Sequence, residues 1–295
     1  MRVNPNPMPD LLAALNQTQL EAQEAALQIS TGKSVNVPSD NPVAAGLLVE
    51  NNDETTFNSG YLQSIGSVQG QLSTADSTLS TVTSALQQAI TLGVEGGTST
   101  VSASDQAAIV VQLQAIQSQL VALANTTYEG NYVFAGSLTS TAPYALNAAS
   151  ASGVNYVGNS DINQVSIGNG YKIAVNVPGS QLFSSSGNDV FLAVNNLITA
   201  LQNNTGIPAA VNALSSASSY LSAKGVFYGN ATDQTQSQTT YLNAAQLQLS
   251  QQQNTLGAVD LPTAANNLTQ ANTDTQAALA AISKFSQNNL FDYLQ

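Results

Sequence analysis

Apolar residues recur four and three positions apart from Tyr61 to Ala89: Tyr61, Ile65, Val68, Leu72, Ala75, Leu79, Val82, Leu86 and Ala89, with Gly93 in the next place. This spacing returns side chains to one face of an α-helix every ~3.5 residues and predicts a continuous packing seam. At ~1.5 Å per residue the helix is roughly 45 Å long. The positions between are mostly Ser, Thr, Gln and Gly, which can face water. Nothing along the stretch suggests catalysis or ligand binding, so it reads as a spine.

A weaker seam precedes it. Leu11, Leu15, Thr18, Ala22, Ala25 and Ile29 keep the same step, and Gly32 is placed to cap that helix at its C-terminus. With Thr and Ala at half of its seam positions, such a helix is marginal alone and needs a partner. Ser34 to Pro42 reads as a turn-rich loop in which Asp40 or Asn41 caps the next helix and Pro42 enters its first turn. That helix continues through Leu47, Leu48 and Phe57 into the Tyr61 seam and ends at Gly96-Gly97. Ser102 or Ser104 starts a second long helix with Ile109, Leu113, Ile116, Leu120, Leu123 and Thr127 on one face, which makes an antiparallel hairpin with the first.

Periodicity changes at Glu129-Gly130. Val165 and Ile167, then Tyr171, Ile173, Val175 and Val177, alternate with polar residues around Gly168-Asn169-Gly170. Asn169-Gly170 suits a two-residue type I′ turn, so this is a β-hairpin, and Val154 with Tyr156 belongs to another strand. Helix returns after Asp189 through Val190, Phe191, Val194, Leu197, Ile198 and Leu201. A further helix through Val211, Leu214 and Leu221 is expected to break at Gly225 and Gly229. Its seam resumes at Leu242, Ala245, Leu249, Leu256 and Val259, and Leu261-Pro262 marks a junction before the last helix.

The predicted fold is mainly α: a long antiparallel helical rod with a small inserted β domain and amphipathic terminal helices. The expected division is 1–40 and 258–295 as terminal helices, 41–137 and 186–257 as the rod, and 138–185 as the β insert.

Composition removes most chemistry. Seventeen acidic side chains against five basic ones leave a formal charge of −12. Arg2, Lys33, Lys172, Lys224 and Lys284 are too dispersed to form a patch, so neither nucleic acid nor an anionic membrane is an expected partner. Only 7% of residues are charged, and His, Cys and Trp are absent. Imidazole bases, thiol nucleophiles and the usual zinc sites are thereby excluded. Asp53-Glu54 are adjacent on a helix and diverge by about 100°, so they make no carboxylate pair. The remaining acids are too scattered for a calcium loop. No catalytic residue, cofactor or metal is expected. Met1 to Asp10 has no apolar run, and no stretch is expected to span a membrane, so any export would proceed without a cleaved signal.

Several motifs carry a family resemblance. Gln28-Ile29-Ser30-Thr31-Gly32-Lys33 followed by Pro38-Ser39-Asp40-Asn41-Pro42-Val43-Ala44-Ala45 resembles the N-terminal signature of the flagellin superfamily. Leu123-Ala124-Asn125-Thr126 with Gly130-Asn131-Tyr132-Val133-Phe134-Ala135-Gly136 resembles its helix-to-β junction. Val175-Asn176-Val177-Pro178-Gly179 with Phe183 is similar to its β-domain exit, and Asp260-Leu261 with Leu290-Phe291-Asp292-Tyr293-Leu294 to its C-terminal region. The Pro-Ser-Asp-x-Pro form is nearer to the superfamily's hook–filament junction branch than to filament flagellin.

This resemblance implies a structural component of the bacterial flagellum, exported unfolded, that forms an adapter layer between the hook-associated region and the flagellin filament. The partners it implies are further copies of the chain, the neighbouring hook-associated protein, flagellin, the filament cap and an export chaperone. Leu11, Leu15, Ile29, Leu268, Leu279, Ile282, Leu290, Phe291 and Leu294 are the expected assembly surface, alongside ordinary pairing of the two terminal helices within the chain. Filament flagellin itself and, in another class, a secreted coiled-coil binding protein are the alternatives.

Overall fold

A computed structural model describes residues 8–292, with side chains as far as Lys284. The chain forms α1 (Met8–Thr31), α2 (Pro42–Gly96) and α3 (Ala103–Ala124). Six short strands follow: β1 (Thr127–Tyr128), β2 (Asn131–Tyr132), β3 (Tyr144–Leu146), β4 (Val154–Tyr156), β5 (Gln164–Gly168) and β6 (Tyr171–Ala174). Then come α4 (Gly179–Leu182), α5 (Val190–Gln202), α6 (Ile207–Gly257) and α7 (Leu261–Asp292). The residues divide into a central unit, Asn58–Asn243, and a terminal unit drawn from Met1–Phe57 and Ala244–Gln295.

The central unit holds the core. The α2 seam from Ile65 to Ala89 is buried at every expected position, with Tyr61 half-buried and Gly93 closing against Leu197 and Val211. α6 runs antiparallel to α2 here. Leu79 lies by Gly225, the Gln69 amide donates to the Thr235 hydroxyl at 3.2 Å, and Gly93 lies by Val211. α3 starts with Ser102 as its cap, which accepts the Asp105 N–H at 3.2 Å. Its Ile109 approaches Gly96, and the helix packs on α5. Asp189 caps α5, accepting the Leu192 N–H at 2.8 Å.

Four expectations change. α6 is unbroken through Gly225 and Gly229: a side chain at Gly225 would meet only Leu79 at 3.8 Å and one at Gly229 would meet nothing. Each glycine costs about 1 kcal/mol in a helix, which burial of Leu214, Ala217, Leu221, Tyr228 and Ala231 on one face offsets. α3 ends at Ala124, so Thr127 lies in β1 rather than on the helix face. The β5–β6 turn is not type I′, which needs positive φ at both central residues. Gly170 has φ 72°, and Asn169 is not among the positive-φ residues. A register shift between Ser166 and Gly168 accommodates the mismatch as a bulge. Lastly, α3 is long and apolar enough to cross a membrane, against expectation; its Ile109, Leu113, Ile116, Leu120 and Ala124 are instead buried in this unit's core.

The strands form three separate antiparallel pairs, β1–β2, β3–β4 and β5–β6. An aromatic cluster that periodicity does not reveal ties the β3–β4 pair to α5 and to the residues beside β2 and α4. Phe134 meets Phe183 edge-on at 5.2 Å, and Tyr144 lies 5.0 Å from both Tyr156 and Phe191. Val175 and Val177 lie beyond β6 but remain buried, the latter with its N–H donating to the Tyr228 hydroxyl at 3.3 Å.

Candidate assembly surface

In the terminal unit α1 lies against α7. Their orientation is antiparallel, because Lys33 bridges Ala258 while the Thr275 hydroxyl donates to the Thr18 hydroxyl at 3.2 Å. On α1 the half-buried or buried stripe is Leu11, Leu15, Thr18, Ala22, Ala25 and Ile29, as its spacing predicts. On α7 it is Ala264, Leu268, Ala271, Thr275, Ala278 and Ile282, again by fours and threes. Gly32, at φ 70°, ends α1 with its N–H on the Gln28 carbonyl at 2.9 Å.

The loop after α1 is built around two side chains. The Asp40 carboxylate accepts the N–H groups of Asn36 and Val37 at 2.8 and 2.9 Å, which closes the loop. The Asn41 side chain accepts the Ala44 N–H at 3.1 Å and so caps α2, with Pro42 as its first residue. The Ser34 N–H donates to the Gly257 carbonyl at 2.8 Å, and the Val259 N–H to the Gly32 carbonyl at 3.2 Å. The two chain reversals therefore hold each other. Beside them lies an open groove of about 590 Å³ with Leu48, Val49, Val35, Asn52, Gln253 and Lys33 among its lining.

The unit buries little and exposes much. Its fully buried apolar side chains are Ala25, Ala44, Ala264, Ala271 and a single large one, Leu249, among the described residues. Leu20, Val43, Val49, Phe57 and Leu247 are each exposed by 60% or more.

Of the residues expected at the assembly surface, Leu11, Leu15, Ile29, Leu268 and Ile282 lie half-buried on these facing stripes. Leu279 is 50% exposed beside the α7 stripe. Leu290, Phe291 and Leu294 lie outside the residues whose side chains are described. Leu12, Leu20 and Leu27 were missed. They stand exposed on the face of α1 turned roughly 150° from its seam, by the ~3.6-residue helical period. Their spacing of eight and seven was the available signal, obscured by the stronger seam on the other side. Among the described residues no three His, Cys, Asp or Glu side chains come together.

A family model of the bacterial flagellin N-terminal helical region matches residues 7–139, and one of the C-terminal helical region matches 205–294. The chain belongs to the flagellin family. Two curated relatives are both named flagellar hook-associated protein 3. The one from Salmonella typhimurium is 33% identical and the one from Escherichia coli K12 is 31% identical, each over 175 residues. These alignments take in 59% of this chain and 54% of each relative, so the chain spans about half the length of the curated relatives it matches. Among solved structures, the flagellar junction protein FlgL from Legionella pneumophila superposes with a TM-score of 0.61 at 14% identity. It covers 72% of this chain and 100% of that one. FlgL from Bacillus cereus gives 0.56 at 19% identity, with 72% and 100% covered.

Proposed function

We propose that this chain is a structural subunit of the bacterial flagellum, an adapter layer that joins the hook-associated region to the flagellin filament. The observation that carries the reading is the terminal unit, which buries mainly alanine and leaves Leu12, Leu20, Leu27, Val43 and Phe57 exposed. A surface of this kind is completed by neighbouring subunits rather than by its own chain. The two relatives' shared name supports the position within the organelle.

On this reading the terminal helices, 1–40 and 258–295, make the contacts, 41–137 with 186–257 is the helical rod, and 138–185 is an insert. Copies of the chain, the adjoining hook-associated protein, flagellin, the filament cap and an export chaperone are its partners, and its place is outside the cell. Leu279, Leu290, Phe291 and Leu294 join the α1 leucines in the contact surface. Its work is mechanical, with no catalysis. A strain lacking the gene should build hooks but shed flagellin as monomer. Normal filaments in that strain would overturn the proposal.

A further inference from the structure

Asn169 and Gly170 form the two-residue turn between β5 and β6, closed by the Gly168–Tyr171 pair. They are the chain's only Asn-Gly dipeptide, and both residues are exposed. The loop asparagines Asn125, Asn147, Asn159, Asn163 and Asn176 are each held through the side chain by hydrogen bonds. Among the described residues no such bond engages the Asn169 carboxamide. Apart from its chain neighbours, no atom lies within 4 Å of the place a Cβ would take on Gly170, so that side of the residue is open.

An unheld carboxamide followed by a glycine with open space beside it is the arrangement for ring closure. The Gly170 nitrogen attacks Asn169 Cγ; the N–Cγ bond forms, the Cγ–Nδ2 bond breaks, and ammonia leaves with the proton from the Gly170 N–H. The product is a five-membered succinimide. Water then opens the ring at one of its two carbonyls. Attack at Cγ yields an aspartate, and attack at the main-chain carbonyl yields an isoaspartate whose backbone runs through the former side chain. The sequence needs only water and involves no oxidation or reduction. A side chain on the following residue would obstruct the first step, and glycine has none. We propose that Asn169 is a site of spontaneous deamidation, at which the β5–β6 turn converts to aspartate and isoaspartate.

The turn's geometry gives this a structural consequence. Hairpin register is set by the length and type of the turn, and isoaspartate lengthens the turn by one methylene. The Gly168–Tyr171 pair is then lost, and with it the placement of Tyr171, whose hydroxyl donates to the Gln234 amide oxygen on α6 at 3.4 Å. Either product also adds one negative charge to a chain that already carries −12.

Purified full-length protein is incubated at mildly alkaline pH, digested, and mapped by mass spectrometry with enzymatic methylation of isoaspartate. The peptide containing Asn169 should gain the mass difference between an amide and an acid before any other asparagine converts, with isoaspartate the larger product. Asn169→Gln should abolish the signal. Gly170→Ala should suppress it too, but that position is strained for alanine, so the Gln variant carries the comparison. The rate in the folded protein should be comparable to that in a synthetic peptide spanning β5–β6. Conversion in the peptide alone, or earlier conversion at Asn159 or Asn188, would overturn the assignment. Unchanged hydrogen exchange at Tyr171–Ile173 in the isoaspartate fraction would overturn the effect on the hairpin.

Discussion

Asp189 caps α5 from a position where burial raises its pKa above the usual 3.8, while the N–H groups of Leu192 and Phe191 act in the opposite direction. Because the raised value belongs to the folded chain, the native state binds the proton more tightly than the unfolded one. Stability therefore falls as pH rises from the unfolded value through the folded one, and this contribution is greatest at acid pH. Asp189→Asn keeps a capping oxygen and removes the ionisation, so its pH dependence should be flatter than that of the wild type. Asp189→Ala should cost about 1 kcal/mol through loss of the cap. Thermal melts from about pH 3 to pH 7 read both effects; parallel wild-type and Asn curves would contradict the account. Asp189 is legible as the cap from sequence, since a capping residue acts on the next few positions. Its burial depends on elements brought in from elsewhere in the chain and was not legible.

At the scale of elements, helix persistence follows packing more closely than propensity. The seam of α2 needed no correction because four-three spacing and burial agree at every step from Ile65 to Ala89. α6 runs on past the break expected at its two glycines because its packed face includes Thr235, fully buried and bonded to Gln69. The glycines are thus spare costs. Gly225→Ala and Gly229→Ala should each stabilise the chain by about 0.5–1 kcal/mol, because neither added methyl group meets an obstacle. Urea denaturation measures the gain, and a loss at either position would mean that the helix bends there. The type I′ expectation failed for a related reason. Asn-Gly permits that turn, but the neighbouring bulge supplies the twist instead.

At the scale of the molecule, stability and assembly are assigned to different units. The extended core cluster lies between Ile65 and Leu242, inside the central unit. Limited proteolysis should therefore remove much of the terminal unit first and leave a resistant fragment approximating 58–243, identified by mass spectrometry. Early cleavage within the Tyr61–Gly93 stretch would contradict this division. Leu20→Glu with Leu27→Glu changes only exposed positions, so melting should hold within about 0.5 kcal/mol. Incorporation into flagella should nonetheless fail in a complementation assay. A net charge of −12 opposes association of copies, and added salt should promote self-assembly by screening it. Assembly that weakens with salt would instead point to ion pairs between subunits.

The sequence alone determined the seams of α1 and α2, the cap at Asp189, the Gly32 stop, the hairpin's place and the family, and it narrowed the start of α3 to Ser102 or Ser104. Each is written in short-range periodicity or in a contiguous motif, where one residue's neighbours are known in advance. Only tertiary structure decided that the partner of the α1 seam is α7, from the far end of the chain, and how exposed the apolar residues off that seam remain. Leu15 and Leu12 have the same side chain and nearly the same neighbours in sequence. One is half-buried on the α1 stripe that runs along α7, and the other is 47% exposed. Helical period set which of the two lies on the seam, and the antiparallel partner from the far end of the chain turns that position into burial.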